Sequence, residues 1–545
     1  MNAKELWQLA ENLFSKRQSL MSLWQETSEH FYPERADFTY KRTLGTDFAG
    51  NLMSSYPMLA RRELANQVGA MLRPANQEWF YMVRGDQEDR VVPDHEGRLW
   101  LEWANNTMRR HMYNRQAMFA RATTEADNDW STFGQYVMSI RVNNVGNALL
   151  YRNWHLRDCC WMENEEGRIV FFARRWKPHA RELVRLFGDK VHSEVKKLSE
   201  KTPFQTVDCV HIVCESDLFD GDSRGMPYHS IYLDVQHEGS VIEEMGQVAQ
   251  EYIVARWQTV SDSQYAYSPS TVAALPDARL IQAMTMTLLE AGEKVTNPPM
   301  IATVDAVKSD VSIYAGGITW IDRDYDEKLG EALRPMTRDY ARGLPYGAEM
   351  LQATQAMIHQ AFYLNKLTLP ERAPEMTAYE VGQRIQEYIR GALPLFEPME
   401  HESNGQICEE TFSTLMRAGA FGSPLDMPRS LRGADVQFKY RSPLHDAIEA
   451  QKAQIFREGA ALLAEAAAVD PTTPYMIDAP TALRESLQGL GVDEDWLRSE
   501  DETRQLAEKA QQQQEQQQML MALEQGSKVA ANFSQAEKAN AEAQR

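Results

Sequence analysis

The sequence predicts an α+β protein that is mainly helical. Apolar residues recur at helical spacing in the first third of the chain and in its last hundred residues. Between about residues 149 and 257 the pattern changes to short runs rich in β-branched and aromatic residues, which predict strands. Two long stretches with few charges, residues 276–296 and 346–367, predict helices of greater than average length.

Size and composition indicate several globular units. The chain has 545 residues and is 43% hydrophobic. A single core rarely grows beyond about 250–300 residues, so we expect two to four units. No run reaches the ~18 apolar residues that a membrane span needs, and the first residues do not form a basic-then-apolar signal. We therefore expect a soluble, cytosolic-type chain with no membrane partner.

Charge and cysteine content narrow the class of protein further. The formal net charge is −21, from 57 basic and 78 acidic residues, which argues against a protein that binds nucleic acid tightly. The five cysteines form no CxxC pair, and we interpret them as reduced thiols packed in small cores. The 12 histidines show no metal-ligand spacing. We predict no metal and no cofactor.

The chain begins with an amphipathic helical segment. Apolar residues recur at helical spacing, and the segment ends before Pro33; they are Leu6, Leu9, Leu13, Leu20 and Trp24. A helix lying on a membrane surface is one alternative, but its basic residues are balanced by glutamates. We therefore expect this face to pack on the rest of the protein.

The central strands are predicted from four runs of sequence. They are "GRIVFFARRW", "CVHIVCE", "SIYLDV" and "EYIVARWQ", and the helix "PHARELVRLFG" interrupts them. Each run is rich in β-branched and aromatic residues, which is typical of strands. Residues 149–257 are therefore expected to form an α+β segment.

A long neutral helix follows, "LIQAMTMTLLEAGEKVTNPPM" at residues 280–300. Asn297, Pro298 and Pro299 prevent its continuation. The next residues, "MIATVDAVKSDVSIYAGGITWIDRD", predict a small β-rich insertion, after which the second long helix begins. The last hundred residues are helical and acidic, and their glutamine run is typical of a solvated helix or a disordered tail.

No motif in the chain predicts catalysis. The sequence contains no GxxxxGK[ST], GxGxxG after a strand, GxSxG or HExxH. The aspartates of "DLFDGDSRG" lack the alternation of a calcium loop, and we interpret them as acidic turn residues. We expect no enzyme and no catalytic residue, although a catalytic pair among the many carboxylates is neither identified nor excluded.

Six segments, taken in order, resemble one known family. They are "RPANQEWFYM", "YSPSTVAALPDARLIQAM", "TNPPMIATVD", "LTLPERAPEMTAYEVGQR", "YRSPLHDAIEAQ" and "GVDEDWLRSEDETRQLAEKAQQQQ". Together they resemble the head-to-tail connector, or portal, proteins of T7-like short-tailed bacteriophages. The resemblance covers nearly the whole chain, and it departs from the family at "YAYSPS", where a glycine and a basic residue are more usual before the Ser-Pro.

The resemblance implies the phage portal fold, which consists of a wing, a two-helix stem, a clip and a C-terminal helical crown, assembled as a ring of generally twelve subunits. Transferred to this chain, the parts are the wing (1–275), first stem helix (276–296), clip (297–344), second stem helix (345–367), tunnel loop (368–376), further wing helices (377–441) and crown with its helical tail (442–545).

The resemblance also implies the function, partners and sites. Such a ring occupies one vertex of the virion head, after assembly in the host cytoplasm, and double-stranded DNA passes through it without sequence-specific binding. The terminase and then the tail adaptor dock at the clip, and the major capsid protein and scaffold or internal core proteins are further partners. The residues implied are Lys366, Glu371 and Arg372 in the tunnel loop, and Lys308, Asp310, Tyr314 and Trp320 in the clip.

The low charge of the two long helices agrees with this function. Strong contacts to phosphate would slow a sliding polyanion, so a channel wall should carry few cations. The alternatives are core helices, an acidic helical scaffold or internal ejection protein of a phage head, and an enzyme of the packaging machine. The tunnel loop has its own alternative, which is an ordinary surface turn with solvated charges.

Overall fold

We analysed a computed structural model of the chain. The residues it describes are 1–296 apart from 44, 46, 48, 75, 76, 86–94 and 238, then 300–302, 333–335, 340–367, 391, 397–441 apart from 424 and 425, and short pieces between 456 and 517.

The chain divides into two compact units, as its length predicts. The larger unit comprises Met1–Trp79, Met108–Ala420 and Tyr440–Leu444. The smaller unit comprises Phe80–Thr107, Phe421–Lys439 and His445–Arg545.

The described helices of eight or more residues are α1 (Ala3–Lys16), α2 (Gln18–Phe31), α3 (Tyr56–Leu72), α4 (His95–Met112), α5 (Phe119–Phe133), α6 (Ala180–Phe187), α7 (Ser193–Lys201), α8 (Pro269–Thr296), α9 (Tyr340–Ala361) and α11 (Gln406–Arg417). One short helix, α10 (Leu364–Leu367), follows α9.

The described strands are β1 (Phe80–Arg84), β2 (Gln135–Val142), β3 (Leu149–Trp154), β4 (Cys159–Glu163), β5 (Ile169–Trp176), β6 (Cys209–Glu215), β7 (Tyr228–Asp234), β8 (Ser240–Gln247), β9 (Tyr252–Arg256), β10 (Gln258–Thr259), β11 (Ala266–Tyr267), β12 (Met300–Ala302), β13 (Leu333–Pro335) and β14 (Val436–Tyr440). The four strands predicted from the central runs are confirmed as β5, β6, β7 and β9, and the helix between them is α6.

The centre of the larger unit is an antiparallel sheet in the order β4-β5-β6-β7-β8. Its middle strands are buried on both faces, so their sequence is apolar at successive positions and not only at alternate ones. Val210 and Ile212 face α1, where they pack with Leu6 and Leu13. This packing confirms that the first amphipathic face is buried by the protein itself.

The opposite face of this sheet packs on a second, three-stranded sheet in the order β3-β2-β9. Phe172 and Val213 from the large sheet meet Val137 and Val254 from the small one, and Trp24 of α2 completes the cluster. Two antiparallel sheets and helices on their outer faces therefore form the α+β segment that the sequence predicts. All five cysteines are free and buried, which confirms that they are packed thiols.

The N-terminal helical segment is divided into two helices, α1 and α2, at Arg17. The Arg17 side chain is 4% exposed, and its guanidinium donates hydrogen bonds to the carbonyl oxygens of Leu156 and Arg157. These carbonyls are more than a hundred residues distant in sequence. Apolar spacing cannot reveal such a contact, so the division was not predicted.

The first long helix begins at Pro269, seven residues before the predicted start at Pro276. Ser268 caps it by accepting a hydrogen bond from the backbone N–H of Thr271 at 3.3 Å, and proline is favoured at the first helical position. Pro276 lies inside the helix and leaves the carbonyl of Val272 without its helical partner. Val272 is 50% exposed, so water can satisfy that carbonyl.

The second long helix also differs from its predicted bounds. It starts at Tyr340 and ends at Ala361, and the short helix α10 follows a break at Phe362 and Tyr363. Phe362 is fully buried with its ring 5.4 Å from that of Phe31, and Tyr363 has φ 56. This tertiary contact ends the helix where the sequence shows no stop signal.

The smaller unit is described in part. It contains a two-stranded ribbon, β1 with β14, and most of α4. Trp100 and Trp103 of α4 lie 6.3 and 6.4 Å from the ring of Phe421.

Candidate functional site

The pair formed by α8 and α9 is the candidate functional site. Its base is the start of α8, which is fixed to the end of α5. The hydroxyl of Ser268 donates to the carbonyl of Ser131, and that of Thr271 donates to the carbonyl of Thr132, each at 2.8 Å. Both hydroxyls are buried, so the hydrogen bonds hold the helix in one orientation.

Gly134 allows this close approach. It follows α5 in the left-handed region at φ +73, and a Cβ there would lie 2.1 Å from the backbone carbon of Tyr267. Its own carbonyl accepts a hydrogen bond from the N–H of Trp257 at 2.7 Å. Only glycine satisfies both the backbone conformation and the contact.

Along the pair, small and flexible side chains set the spacing of the two helices. Gly347 of α9 faces Leu288 of α8, where a Cβ on the glycine would lie 2.5 Å from a leucine methyl carbon. Nearer the base, the hydroxyl of Thr354 lies 3.9 Å from the sulfur of Met284. No residue of α8 after Ile281 is fully buried. Gln282, the next residue, still accepts a hydrogen bond from the backbone N–H of Met53 and donates one to the carbonyl of Ser54.

Both helices carry little positive charge. The cations of α8 are Arg279 and Lys294, and its anions are Asp277, Glu290 and Glu293. The Arg279 guanidinium is paired with the carboxylate of Glu26 at 2.5 Å. A polyanion beside this helix would therefore meet few cations, and contacts to it would be weak.

Large apolar side chains are exposed on two different sides of α8. Leu280 is 42% exposed, Met286 50% and Leu289 56%. Successive residues of an α-helix turn by about 100°. Leu280 and Leu289 therefore project from the two flanks of the face that contacts α9, and Met286 projects from the side of α8 that faces away from α9.

The exposed apolar residues of α9 form a single stripe. Tyr346 is 68% exposed, Met350 44% and Met357 46%. Their spacing of four and seven residues places them on one side of the helix. The pair thus presents unlike apolar surfaces on its two sides, an arrangement that suits heterologous contacts between copies.

The residues predicted as sites are mostly outside the described part. Lys308, Asp310, Tyr314 and Trp320 of the predicted clip, and Glu371 and Arg372 of the predicted tunnel loop, lie outside the described residues. Lys366 is a residue of the short helix α10. Their roles stay predictions. The apolar flanks of α8 and α9 were not predicted, although the spacing of Tyr346, Met350 and Met357 was visible in the sequence.

One cluster brings together potential metal ligands that are distant in sequence. Ligand atoms of His192, Glu194 and His237 lie within 4.8 Å of one another. His237 Nδ1 is 2.8 Å from a carboxylate oxygen of Asp234, and Nε2 is 3.0 Å from one of Glu194. Burial disfavours the imidazolium, but these hydrogen bonds outweigh it and raise the pKa of His237. An imidazolium between two carboxylates accounts for this geometry without a metal.

The fold and this helix pair define a class of structural assembly proteins, in which long neutral helices are positioned by an α+β body. Among the described residues, no helix combines the length and the apolar character that crossing a membrane requires. The chain belongs to the family described as bacteriophage head to tail connecting protein, which it matches over residues 3–497.

Two curated relatives are portal proteins of bacteriophages. The probable portal protein of Bordetella phage BPP-1 is 24% identical over 442 residues, which cover 80% of this chain and 78% of the relative. The portal protein of Salmonella phage epsilon15 is 21% identical over 454 residues, which cover 81% and 79%.

Two solved structures are similar to the chain at 10% identity. One, titled as the virion of a native gene transfer agent particle, has a TM-score of 0.34 and covers 80% of this chain and 95% of that chain. The other, titled as the neck of an empty gene transfer agent particle, has a TM-score of 0.33 and covers 77% and 92%.

The family match confirms the sequence-based assignment to the head-to-tail connectors and the mainly helical α+β fold class. It also confirms the predicted location in the phage particle, where the protein connects head and tail. The narrower assignment to the T7-like phages stays a prediction.

Proposed function

We propose that the protein forms a ring at one vertex of the phage head, and that double-stranded DNA is packaged and later ejected through the centre of the ring. The observation that carries this proposal is the α8–α9 pair. Its few cations suit a wall past which a polyanion slides, and its two unlike apolar sides suit contact with a neighbour on each side. The names of the two curated relatives support the same function.

In this proposal the parts of the chain keep the order predicted from the sequence, and the stem takes the bounds of the two observed helices. The wing precedes the stem, the stem is the α8–α9 pair, and the clip lies between these helices. The tunnel loop follows α10, and the crown begins near residue 442. The ring has about twelve copies, and the terminase and then the tail adaptor dock at the clip. The protein acts as a structural component and not as an enzyme.

Negative-stain microscopy of the purified full-length protein tests this proposal. We expect rings with a central hole, and light scattering should give the mass of about twelve chains. A scaffold or ejection protein would give monomers or irregular oligomers instead. A stable monomer or dimer at micromolar concentration would contradict the proposal.

The tunnel loop yields a separate prediction. Replacing Lys366 and Arg372 together by alanine should leave ring assembly unchanged but alter the packaging or retention of DNA. Each cation that touches phosphate contributes about 0.9 to the logarithmic salt dependence of DNA binding, so the variant should also be less sensitive to salt. The measurement is the amount of genome retained in particles assembled with the variant.

A double substitution of Arg185 and Lys197 by alanine is the matched control, because both residues are exposed on α6 and α7. It removes the same charge and should have no effect on DNA retention. Full genome retention by the Lys366/Arg372 variant would show that the loop is an ordinary connection.

A further inference from the structure

A basic cavity lies in the larger unit, beside α1, α2 and the strands β3 and β5. Its volume is about 1140 Å³. Eight of its lining residues are arginine or lysine and three are aspartate or glutamate, whereas acidic residues outnumber basic ones by 78 to 57 in the whole chain. The cavity therefore concentrates positive charge in an acidic protein.

The carboxylates of the cavity are already paired. Glu11 lies 2.9 Å from Arg175, Asp158 lies 3.3 Å from Arg157, and Asp208 is paired with Lys177. Outside the wall, Asp129 pairs with Arg35 at 2.8 Å. These pairs use the available negative charge and leave other cations without an anion.

Arg152 and Arg174 are the two central cations that remain. Their guanidinium carbons lie 4.2 and 3.8 Å from the ring centroid of Trp154. Arg174 is only 5% exposed, and its Nε donates to the hydroxyl of Tyr252 at 2.8 Å. In the part of the chain that the structure describes, neither arginine has a carboxylate within ion-pair distance.

Two guanidinium groups stacked on one indole lack an anion that would balance their charge. Stacking on an aromatic ring compensates a cation only in part, and a buried charge without an opposite charge is strongly disfavoured. Partial burial of the Arg152 guanidinium and the neighbouring charges of Arg174 and Arg141 lower the pKa of Arg152, in agreement with the crowding of cations around Trp154. An anion that entered the cavity would relieve this repulsion and could accept hydrogen bonds from both planar groups.

We propose that the cavity receives an acidic segment of the neighbouring copy of this chain, so that Arg152 and Arg174 form ion pairs across the subunit interface. This inference rests on the proposed ring. Each copy carries a net charge of −21, so copies repel one another unless positive surface on one side meets carboxylates on the other. Within a ring the neighbour is also present at high effective concentration.

The size of the cavity favours a peptide segment over duplex DNA. Its volume of about 1140 Å³ is slightly above the ~300–1,000 Å³ of typical small-ligand pockets, and a few side chains of a peptide segment fill such a space. The Arg174 guanidinium is buried against Trp154 and does not lie on a convex surface along which a phosphate backbone could run. Exposed Arg152 marks the opening, and buried Arg174 lies deeper.

The substitution Arg152→Glu tests the inference, because Arg152 is exposed and its replacement should not unfold the protein. We expect the concentration needed for ring assembly to rise at least tenfold, whereas Arg152→Lys should retain most assembly. Arg185→Glu, the same charge change on an exposed residue of α6 outside the cavity, should assemble normally. Mass photometry over a dilution series measures assembly, and circular dichroism checks the fold.

Carbodiimide coupling of the Arg152→Lys variant identifies the occupant, because it joins the new amine to a carboxylate in direct contact. We expect a cross-link between two chains, located by mass spectrometry of mixed heavy and light isotope-labelled protein. Normal assembly by Arg152→Glu, or a cross-link only within one chain, would overturn the inference.

The test also separates the rival explanations. Unchanged assembly with loss of binding to a 30-base-pair duplex would assign the cavity to nucleic acid and overturn the inference. Failure of the unaltered protein to form rings would contradict the proposed function itself, whereas failure of this inference alone leaves those rings intact.

Discussion

The double substitution Leu280→Asp and Leu289→Asp is expected to abolish ring assembly while each subunit stays folded. These leucines are 42% and 56% exposed on opposite flanks of α8, so their burial depends on neighbouring subunits. Losing two apolar contacts and burying two carboxylates should cost about 3 kcal/mol or more at each interface, which is roughly a hundredfold in association. Mass photometry and sedimentation measure the loss.

The control for this prediction is Val145→Asp. Val145 is 79% exposed in the turn between β2 and β3, so it offers the same change from apolar to acidic away from the helix pair. The control should assemble like the unaltered protein. Rings formed normally by the double variant would show that the flanks of α8 do not meet a neighbour.

Gly134→Ala is expected to lower the free energy of unfolding strongly, although it adds only one methyl group. The new Cβ would lie 2.1 Å from the backbone carbon of Tyr267 and 2.3 Å from the nitrogen of Ser268, immediately before α8. Backbone atoms cannot rotate away as a side chain can, so the start of α8 must move and its hydrogen bonds to Ser131 and Thr132 are lost. We expect a cost of about 4 kcal/mol or more, from the strained backbone and the overpacking together.

Gly146→Ala separates the two contributions to that cost. Gly146 has φ +79, close to the +73 of Gly134, but nothing lies within 4 Å of its added Cβ. This variant should lose only about 1 kcal/mol, the cost of placing alanine in the left-handed region. The thermal unfolding midpoint and the yield of soluble protein measure both variants. Equal effects would show that close packing at Gly134 does not matter.

The sequence predicted the elements whose signal is local. The helical spacing of Leu6, Leu13 and Trp24 correctly predicted buried helical residues, although Trp24 lies in a separate helix. The strands β5, β6, β7 and β9 were also correct, because helical spacing and runs of β-branched residues depend only on neighbours in the chain. The end of the first long helix at Thr296 was correct for the same reason, since asparagine and two prolines follow it.

The sequence did not predict where tertiary contacts divide or end a helix. Arg17 separates α1 from α2 because its guanidinium reaches carbonyls on a distant turn, and Phe362 ends α9 because its ring is buried against Phe31. The start of α8 at Pro269 was missed for a different reason. Ser268 followed by a proline is a local start signal, whereas the prediction placed the first helical residue at Pro276.

The sequence by itself determined the fold class, the connector family and the low charge of the two long helices, because composition, order of segments and local periodicity are properties of the chain. Only the tertiary structure decided which side chains of those helices are left exposed and which cations are left without an anion. Leu280 and Leu289 are both leucines of one helix, and Arg152 and Arg175 are both arginines of strands that line one cavity. Their different surroundings arise from elements far apart in sequence, since burial and ion pairing depend on what the fold places beside each residue.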